Sequence, residues 1–132
     1  MDPISDMLNR IKNAQAVRHA TVAVPFSQVK FHIAKLLLEA GYLSSVEKTM
    51  KMAKKAEVAW LDLGLKYADD RGAISGIRLV STPSRHIYIT AKNVKPVRSG
   101  YGMAVLSTSK GVMSGKNARK ENIGGEVMFE IW

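Results

Sequence analysis

The spacing of apolar residues predicts two helices in the N-terminal part of the chain. Asp2 and Pro3 form a typical helix start, with an acid at the N-cap and a proline at the first helical position. The apolar residues that follow recur every three or four positions, which predicts a helix to about Val17. A second helix is predicted between Ser27 as N-cap and Gly41 as C-cap glycine. Its buried stripe is expected to consist of Val29, Ile33, Leu36, Leu37 and Ala40.

Short apolar or alternating segments predict the strands of this first part. Residues 21–24 alternate and end before Pro25, residues 42–46 form a short segment, and residues 57–66 form a longer one. The intervening segment has no apolar period and predicts a solvated connection, because charge runs usually lie in water. Its basic residues are Lys48, Lys51, Lys54 and Lys55. The order helix, strand, helix, strand, strand indicates a small layer in which two helices cover a sheet.

The second part of the chain is predicted to be mainly β. Turn residues at 69–72 mark the boundary, which gives an N-terminal α/β subdomain over residues 1–68 and a C-terminal β-rich subdomain over residues 69–132. The predicted fold class is therefore α+β with two small subdomains. Strands are expected at residues 73–81, 86–90, 103–106 and 127–132.

Local patterns add detail to the C-terminal subdomain. Residues 114–120 are predicted to form a short helix with Ser114 as N-cap, and Gly124-Gly125 is predicted to be a sharp turn. The alternation at residues 86–90 directs Tyr88 outward and its apolar neighbours inward. In the last strand, one face is expected to carry Val127, Phe129 and Ile131.

The distribution of charge indicates what kind of partner this second part binds. The chain of 132 residues carries 20 Lys/Arg and 11 Asp/Glu, a formal net charge of +9. The first 66 residues have ten basic and six acidic residues, whereas residues 71–120 have ten basic residues and no acid. An acid-free stretch that contains strands indicates a polyanion, and nucleic acid fits best. A membrane surface is disfavoured, because the stretch lacks a basic amphipathic helix and the chain lacks a transmembrane-length apolar run.

The strand predicted at residues 103–106 is followed by three hydroxyl residues, a lysine and a glycine. Short hydroxyl side chains can meet a sugar hydroxyl, a phosphate oxygen or a base edge. The lysine adds a cation, and the glycine allows a tight turn. A polar turn without a ligand is the alternative, and these five residues alone favour it. The acid-free surroundings shift the balance toward RNA for Ser107, Thr108, Ser109, Lys110 and Gly111.

The sequence contains no catalytic arrangement that we recognise. Zero cysteines exclude thiol catalysis and Cys-ligated metals, and the three histidines lack metal-ligand spacing. Residues 111–116 look like a phosphate-binding loop, but three residues separate the glycines where a Walker loop has four, and Asn117 stands where it has Ser or Thr. The chain is therefore predicted to be no enzyme and to bind no cofactor, metal or small-molecule substrate. An enzyme acting on nucleic acid is the competing class, and metal-dependent cleavage would identify it.

Several motifs in a fixed order carry a likeness to a known family. They are DPISDMLNRIKNA at residues 2–14, IAK at 33–35 with EAGY at 39–42, ISGI at 74–77, LSTSKGVM at 106–113, GGE at 124–126 and the final Trp132. Over essentially its whole length the chain resembles the bacterial form of the small-subunit ribosomal protein number eight.

This resemblance implies an α+β protein of two subdomains that is a structural constituent of the small ribosomal subunit. It implies early, direct binding to the central domain of small-subunit ribosomal RNA, which helps to assemble the platform. The implied partners also include other small-subunit ribosomal proteins, and the implied location is the cytoplasmic ribosome, with an organellar ribosome as the alternative. The alternative function is a translational regulator that binds its own messenger RNA through the same surface.

The resemblance also implies which residues contact RNA. The motif at residues 107–110 is the main contact, and Tyr88 and Glu126 support it. Apart from the resemblance, the exposed charges of Lys116 and Arg119 on the predicted short helix are expected near phosphate. Glu126 accepts from a base amino group or braces the loop in this hypothesis, and a turn-capping role is its alternative. The family commonly has basic residues directly after the tyrosine, whereas Ile89 and Thr90 follow it here. Arg85, Lys92 or Lys95 are candidates to replace them.

Overall fold

The chain divides between Ala73 and Ile74 into two units, Pro3–Ala73 and Ile74–Trp132. The computed structural model describes residues 2–132, apart from the side chain of Ser99. The α+β class predicted from the sequence is confirmed, because the first unit carries two longer helices and the second is mainly sheet with a short helix. No helix in the described part of the chain combines the length and hydropathy that crossing a membrane requires.

The first unit packs helices against an antiparallel sheet. Helices α1 (Pro3–Ala16) and α2 (Gln28–Glu39) contact β1 (Thr21–Pro25) and β2 (Leu43–Ala53), respectively. Strand β3 (Ala56–Leu65) lies between β1 and β2 in the sheet. The buried apolar side chains of this unit include Met7, Leu8, Ile11, Val24, Ile33, Leu37, Leu61 and Leu63.

Both predicted ends of α2 are confirmed, but its buried stripe is displaced by one residue. The Ser27 side chain accepts a hydrogen bond from the Lys30 amide at 3.2 Å, and Gly41 has φ of +88°, which a glycine adopts without strain. The buried residues are Lys30, Ile33, Ala34 and Leu37, whereas the predicted Val29 and Ala40 are exposed. The pattern was wrong because a lysine occupies a core position. Its stem is buried while its Nζ donates to the Pro25 carbonyl at 3.3 Å.

The basic segment between the predicted strands is not a solvated loop. Strand β2 continues through it to Ala53 and pairs with β3 residue by residue as far as Ala56, so that Lys54 and Lys55 alone form the turn. Main-chain hydrogen bonds between β2 and β3 hold this segment in place, although its side chains lie in water. A strand exposed on both faces needs no apolar period, which is why the sequence pattern missed it.

The turn predicted at residues 69–72 is confirmed as a tight hairpin. Strands β4 (Tyr67–Ala68) and β5 (Arg71–Gly72) pair directly, and the two intervening residues, Asp69 and Asp70, have φ of 51° and 65°. Two positive φ angles are typical of a type I′ turn, which Asp tolerates. Arg18 contacts both the carboxylate and the carbonyl of Asp70 and so ties the hairpin to the segment after α1.

The second unit is organised around β10 (Gly125–Ile131). Strands β6 (Ile77–Leu79) and β7 (Tyr88–Ile89) pair with one edge of β10, and β8 (Met103–Thr108) pairs with the other. Strand β9 (Gly111–Ser114) follows β8 in a hairpin, and α3 (Gly115–Lys120) comes next. The Ser114 side chain accepts from the Asn117 amide at 3.2 Å, which confirms the predicted N-cap.

Two predicted strands of this unit are shorter than expected. The segment 73–81 is a strand only at Ile77–Leu79, because the Ser75 and Gly76 amides instead donate to the Trp132 carbonyl. The segment 86–90 is a strand only at Tyr88–Ile89. Its outward tyrosine is confirmed, since the Tyr88 side chain is 69% exposed.

A β-bulge at Met128 contradicts the prediction that Val127, Phe129 and Ile131 share one face. Val127 pairs with Leu106, but Phe129 pairs with Val105, so the register shifts by one residue between them. Directly paired residues share a face and successive residues alternate, so Val127 and Phe129 lie on opposite faces. Both are buried. The bulge therefore lets a period-two pattern bury side chains on two faces of the sheet.

The prediction of a sharp turn at Gly124-Gly125 is wrong. The chain turns earlier, at Glu121 and Asn122, where Asn122 has φ of 57°. The glycines are needed for close approach instead: a Cβ at Gly124 would lie 2.5 Å from the Ile89 carbonyl oxygen, and one at Gly125 would overlap the Ser107 carbonyl oxygen. Their missing side chains let the start of β10 fit between β7 and β8.

We expect Gly125→Ala to lower the free energy of unfolding by about 1–3 kcal/mol, because the added methyl group must push β8 away. Urea denaturation measures this. Asn122→Gly is the control, since it changes a position that already has a left-handed backbone and should shift stability by less than about 0.5 kcal/mol. Equal stability of Gly125→Ala and the unmodified chain would contradict the close contact.

Candidate nucleic-acid interface

Three neighbouring strands bring Tyr88, Glu126 and Ser107 into one row. Glu126 on β10 pairs directly with Tyr88 on β7 and with Ser107 on β8. Directly paired residues of antiparallel strands project from the same face, so these three side chains are neighbours. Tyr88 and Ser107 are exposed, and Glu126 is partly buried between them. The row thus combines a phenol, a carboxylate and a hydroxyl on an accessible surface.

The β8–β9 turn continues this surface beyond Ser107. Thr108 pairs with Gly111, so Ser109 and Lys110 form the two-residue turn, and Gly111 has φ of +110°. The Thr108 hydroxyl donates to the Gly111 carbonyl at 2.8 Å and accepts from the Lys110 amide at 3.2 Å. These bonds fix the turn from inside. Thr108 therefore uses its proton for structure and retains at most one acceptor position for a ligand.

The other polar groups of the turn are available for binding. Within residues 2–132, the hydroxyls of Ser107 and Ser109 make no hydrogen bond, and Lys110 makes no ion pair. All three residues are exposed. A hydroxyl can both donate and accept, so two of them beside an ammonium group suit a ligand that has hydroxyl groups and negative charge. Sugar and phosphate of a nucleic acid have this chemistry.

A hydrogen bond with His86 orients the carboxylate of Glu126. The His86 Nδ1 lies 2.6 Å from Glu126 Oε2, and the side chains are 53% and 22% exposed, respectively. The contact involves one carboxylate oxygen, which leaves Oε1 to accept from a ligand. Because this contact already restricts the carboxylate, less conformational entropy is lost when a donor such as a base amino group binds to it.

The sequence did not reveal this role of His86. Forty positions separate it from Glu126, so no local motif could link them. The alternation of residues 86–90 did place His86 on the same side as Tyr88, and the pairing of Tyr88 with Glu126 completes the connection.

The remaining predicted site residues, Lys116 and Arg119, lie apart from the row. They belong to α3, whose Ala118 packs with Leu106 and Val127 on the face opposite Ser107 and Glu126. Four residues of β9 separate this helix from the turn. The Arg119 guanidinium donates to the Val94 carbonyl at 3.3 Å, so this side chain partly serves to hold the neighbouring loop, whereas Lys116 is exposed.

The structure also shows how the segment that looks like a phosphate-binding loop is folded, and how the potential metal ligands are distributed. Of residues 111–116, which look like a phosphate-binding loop, the first four form the extended strand β9 paired with β8, and the last two begin α3, so the segment does not form a cradle of convergent amides. Among residues 2–132 no group of three His, Asp or Glu side chains could hold a metal ion.

Comparison with known proteins gives a consistent result along the chain. The model of the family described as ribosomal protein S8 matches residues 2–132. The small ribosomal subunit protein uS8 of Mycoplasmopsis agalactiae is 48% identical over 132 residues, which cover 99% of this chain and 97% of that protein. The proteins of the same name from Mycoplasmopsis pulmonis and Persephonella marina are each 44% identical, over 99% of this chain and 96% and 98% of their own lengths.

We expect Thr108→Val to loosen the β8–β9 turn, because valine keeps the shape but loses both hydrogen bonds. The Lys110 amide should exchange its hydrogen faster, and the free energy of unfolding should fall by about 1 kcal/mol. Amide exchange followed by NMR and urea denaturation measure these effects. Thr108→Ser, which keeps the hydroxyl, is the control, and unchanged Lys110 exchange in the valine variant would contradict the bracing role.

Proposed function

The chain belongs to the ribosomal protein S8 family, a structural and non-enzymatic constituent of the small ribosomal subunit, and we propose that it binds small-subunit ribosomal RNA through the interface just described. The observation that carries this proposal is the row of Tyr88, Glu126 and Ser107 beside the turn with its unbonded hydroxyls. This is a recognition surface without catalytic groups, as a structural RNA-binding protein requires.

The proposed target is the central domain of small-subunit ribosomal RNA, where early binding helps to assemble the platform. This choice rests on the likeness to the family. The relatives compared above are bacterial, which supports a bacterial-type cytoplasmic ribosome as the place of action. Other proteins of the small subunit are the further proposed partners, as expected for a protein whose relatives are named small ribosomal subunit proteins.

The proposed mechanism is recognition of an RNA helix by its minor groove and backbone. A-form RNA has a wide, shallow minor groove lined with 2′-hydroxyl groups. The hydroxyls of Ser107 and Ser109 can each donate to and accept from these groups, and Lys110 supplies charge for a phosphate. The hairpin holds the three groups at fixed spacing, so they can set the register of the protein on the RNA.

The partly buried Glu126 adds specificity in this mechanism. A carboxylate near phosphate is repelled unless it meets a donor, so it favours RNA that presents a base amino group or an unstacked base at that point. Tyr88 supplies a ring for stacking and a phenolic hydroxyl beside the same position. The carboxylate thus acts by rejecting RNA that offers no donor, which attraction by lysines alone cannot achieve.

Long-range attraction comes from the rest of the second unit. Residues 74–132 contain nine Lys/Arg and three Glu, and one of these acids, Glu130, pairs with Arg78 at 3.3 Å. Cations that reach phosphate release counterions, so binding is expected to weaken steeply with salt. Ile89 and Thr90 stand where the resemblance leads us to expect basic residues, and Lys92 and Lys95, which follow β7 in the chain, are proposed to supply part of this charge.

We expect Ser109→Ala to weaken binding of a small-subunit ribosomal RNA fragment by about 1 kcal/mol, roughly fivefold, because one hydrogen bond is lost. Filter binding measures the affinity. Urea denaturation should show that the Ser109→Ala variant is as stable as the unmodified chain. The control is Ser45→Ala, which removes an exposed hydroxyl from β2 in the other unit. Unchanged RNA affinity of Ser109→Ala would count against the hydroxyl turn as the contact.

We expect Lys116→Gln to lower the slope of log affinity against log salt by about 0.7–0.9, the value of one phosphate contact. Lys116 is the better test than Arg119, because replacing Arg119 would also remove the bond to the Val94 carbonyl. Lys12→Gln, on α1 in the other unit, is the matched control for loss of one charge. An unchanged slope for Lys116→Gln would remove this residue from the interface.

A further inference from the structure

The end of the β2–β3 hairpin is a two-stranded arm that the proposed RNA interface does not use. All residues from 50 to 58 are exposed, although the strands pair without interruption up to Ala53 and Ala56. A two-stranded ribbon in water is at best marginally stable by itself, so an arm of this kind contributes little to the core of the unit. We call its lysines, Lys48, Lys51, Lys54 and Lys55, the basic ribbon.

The charge of the basic ribbon is not compensated within the chain. Residues 48–55 contain four lysines and no acid. In the part of the chain that the structure describes, none of these four lysines forms an ion pair. Like charges on one arm repel one another, most strongly at the adjacent Lys54 and Lys55, and lower the stability of the arm. An anionic partner would relieve this repulsion.

Aromatic rings support two of the four lysines. The Lys48 Nζ lies 4.2 Å from the centre of the Phe26 ring, and the Lys51 Nζ lies 5.6 Å from that of Trp60. Cation–π contacts at these distances restrict a lysine without neutralising it. Part of the entropy cost of fixing the side chain is therefore met before any anion arrives, which favours binding.

The turn of the hairpin is occupied by lysine at a position that suits glycine or asparagine. Lys54 has φ of 56°, a left-handed conformation that costs a side chain such as lysine of the order of 1 kcal/mol. A two-residue hairpin turn with positive φ at its first residue alone favours glycine at that residue. The strain is consistent with a requirement for positive charge at the tip.

The arm carries one acid of its own, and two more lie at its base. Glu47 and Asp62 are directly opposite each other at the base, and Glu57 lies opposite Met52 near the tip, so residues 48–58 with four lysines and one glutamate keep a net charge of +3. The exposed apolar side chains are few: Met50, Met52 and Val58. A stable protein interface needs an extended apolar centre, which these three residues scarcely provide, whereas a row of phosphates needs only the charges.

We propose that the basic ribbon is a second RNA-contacting surface that binds the phosphate backbone without reading sequence. This inference rests on the proposed function of the second unit. The two units follow one another directly at Ala73 and Ile74, so RNA bound by one is presented to the other at high effective concentration. The ribbon then raises affinity by counterion release, while the hydroxyl turn sets the register.

Directed hydroxyl-radical probing tests where the ribbon lies. The chain has no cysteine, so Lys54→Cys creates a unique attachment site for iron-EDTA in the full-length protein. The probe is a transcript of the central domain of bacterial small-subunit ribosomal RNA. Asn117→Cys on α3 reports the position of the second unit, and Lys12→Cys on α1 reports an exposed site of the first unit outside the ribbon. We expect cleavage from position 54 at nucleotides that differ from those cleaved from position 117.

A charge-removal pair tests the energetic part of the proposal. Lys54→Gln with Lys55→Gln should lower the salt slope by about 1.4–1.8, as the loss of two phosphate contacts requires. Lys12→Gln with Lys66→Gln removes the same charge from the same unit and should leave the slope within error of the unmodified chain. A lowered slope for the first pair alone, together with cleavage from position 54, supports the proposal.

The outcomes separate this inference from the function on which it rests. If the unmodified chain binds the transcript and position 117 directs cleavage, but position 54 does not and the slope stays unchanged, the ribbon proposal is wrong and the proposed function stands. If in reconstituted small subunits position 54 cleaves a neighbouring protein and no RNA, the ribbon binds protein and the proposal is likewise wrong. If the unmodified chain does not bind the transcript at all, the proposed function is wrong, and the ribbon proposal that rests on it is wrong as well.

Discussion

Main-chain pairing of β10 with β7 and β8 is the constraint on which the candidate interface depends. Tyr88, Glu126 and Ser107 come from three separate strands, and among the described residues no hydrogen bond or ion pair joins their side chains to one another. They are neighbours because hydrogen bonds between strands fix the register. That register in turn requires Gly124 and Gly125, since a side chain at either position would meet a carbonyl of an adjacent strand. The row of side chains is therefore positioned by two glycines whose missing side chains make room for the adjacent strands.

Structural and binding roles are divided among chemically similar residues. Of the three hydroxyls at the β8–β9 turn, the Thr108 hydroxyl bonds to the main chain and holds the turn, while those of Ser107 and Ser109 face outward. Glu126 likewise has one carboxylate oxygen in contact with His86 and the other available. Preorganisation of this kind lowers the entropy cost of binding, because the groups that meet a ligand are already held by groups that do not.

Sequence pattern was sufficient wherever the determinants are local. The caps at Ser27 and Ser114, the hairpin at Asp69 and Asp70 and the outward Tyr88 all depend on residues within a few positions of one another. It failed where distant main chain decides the structure. Lys48 and Lys51 lie on a strand because β3 pairs with them, and the partner of Glu126 is forty positions away. The buried Lys30 misled the pattern by placing a charged residue in a core position.

The bulge at Met128 changes which face of the sheet the alternate side chains of β10 occupy. Before it, the face that carries Glu126 is the accessible one; after it, the same face of the sheet carries the buried Phe129 and Ile131. In a regular strand Glu126 and Glu130 would lie on one face of the sheet, and Val127, Phe129 and Ile131 would lie on the other. With the shift, one face of the strand changes from recognition to core within three residues, so a single short strand presents Glu126 outward and still contributes Phe129 and Ile131 to the core.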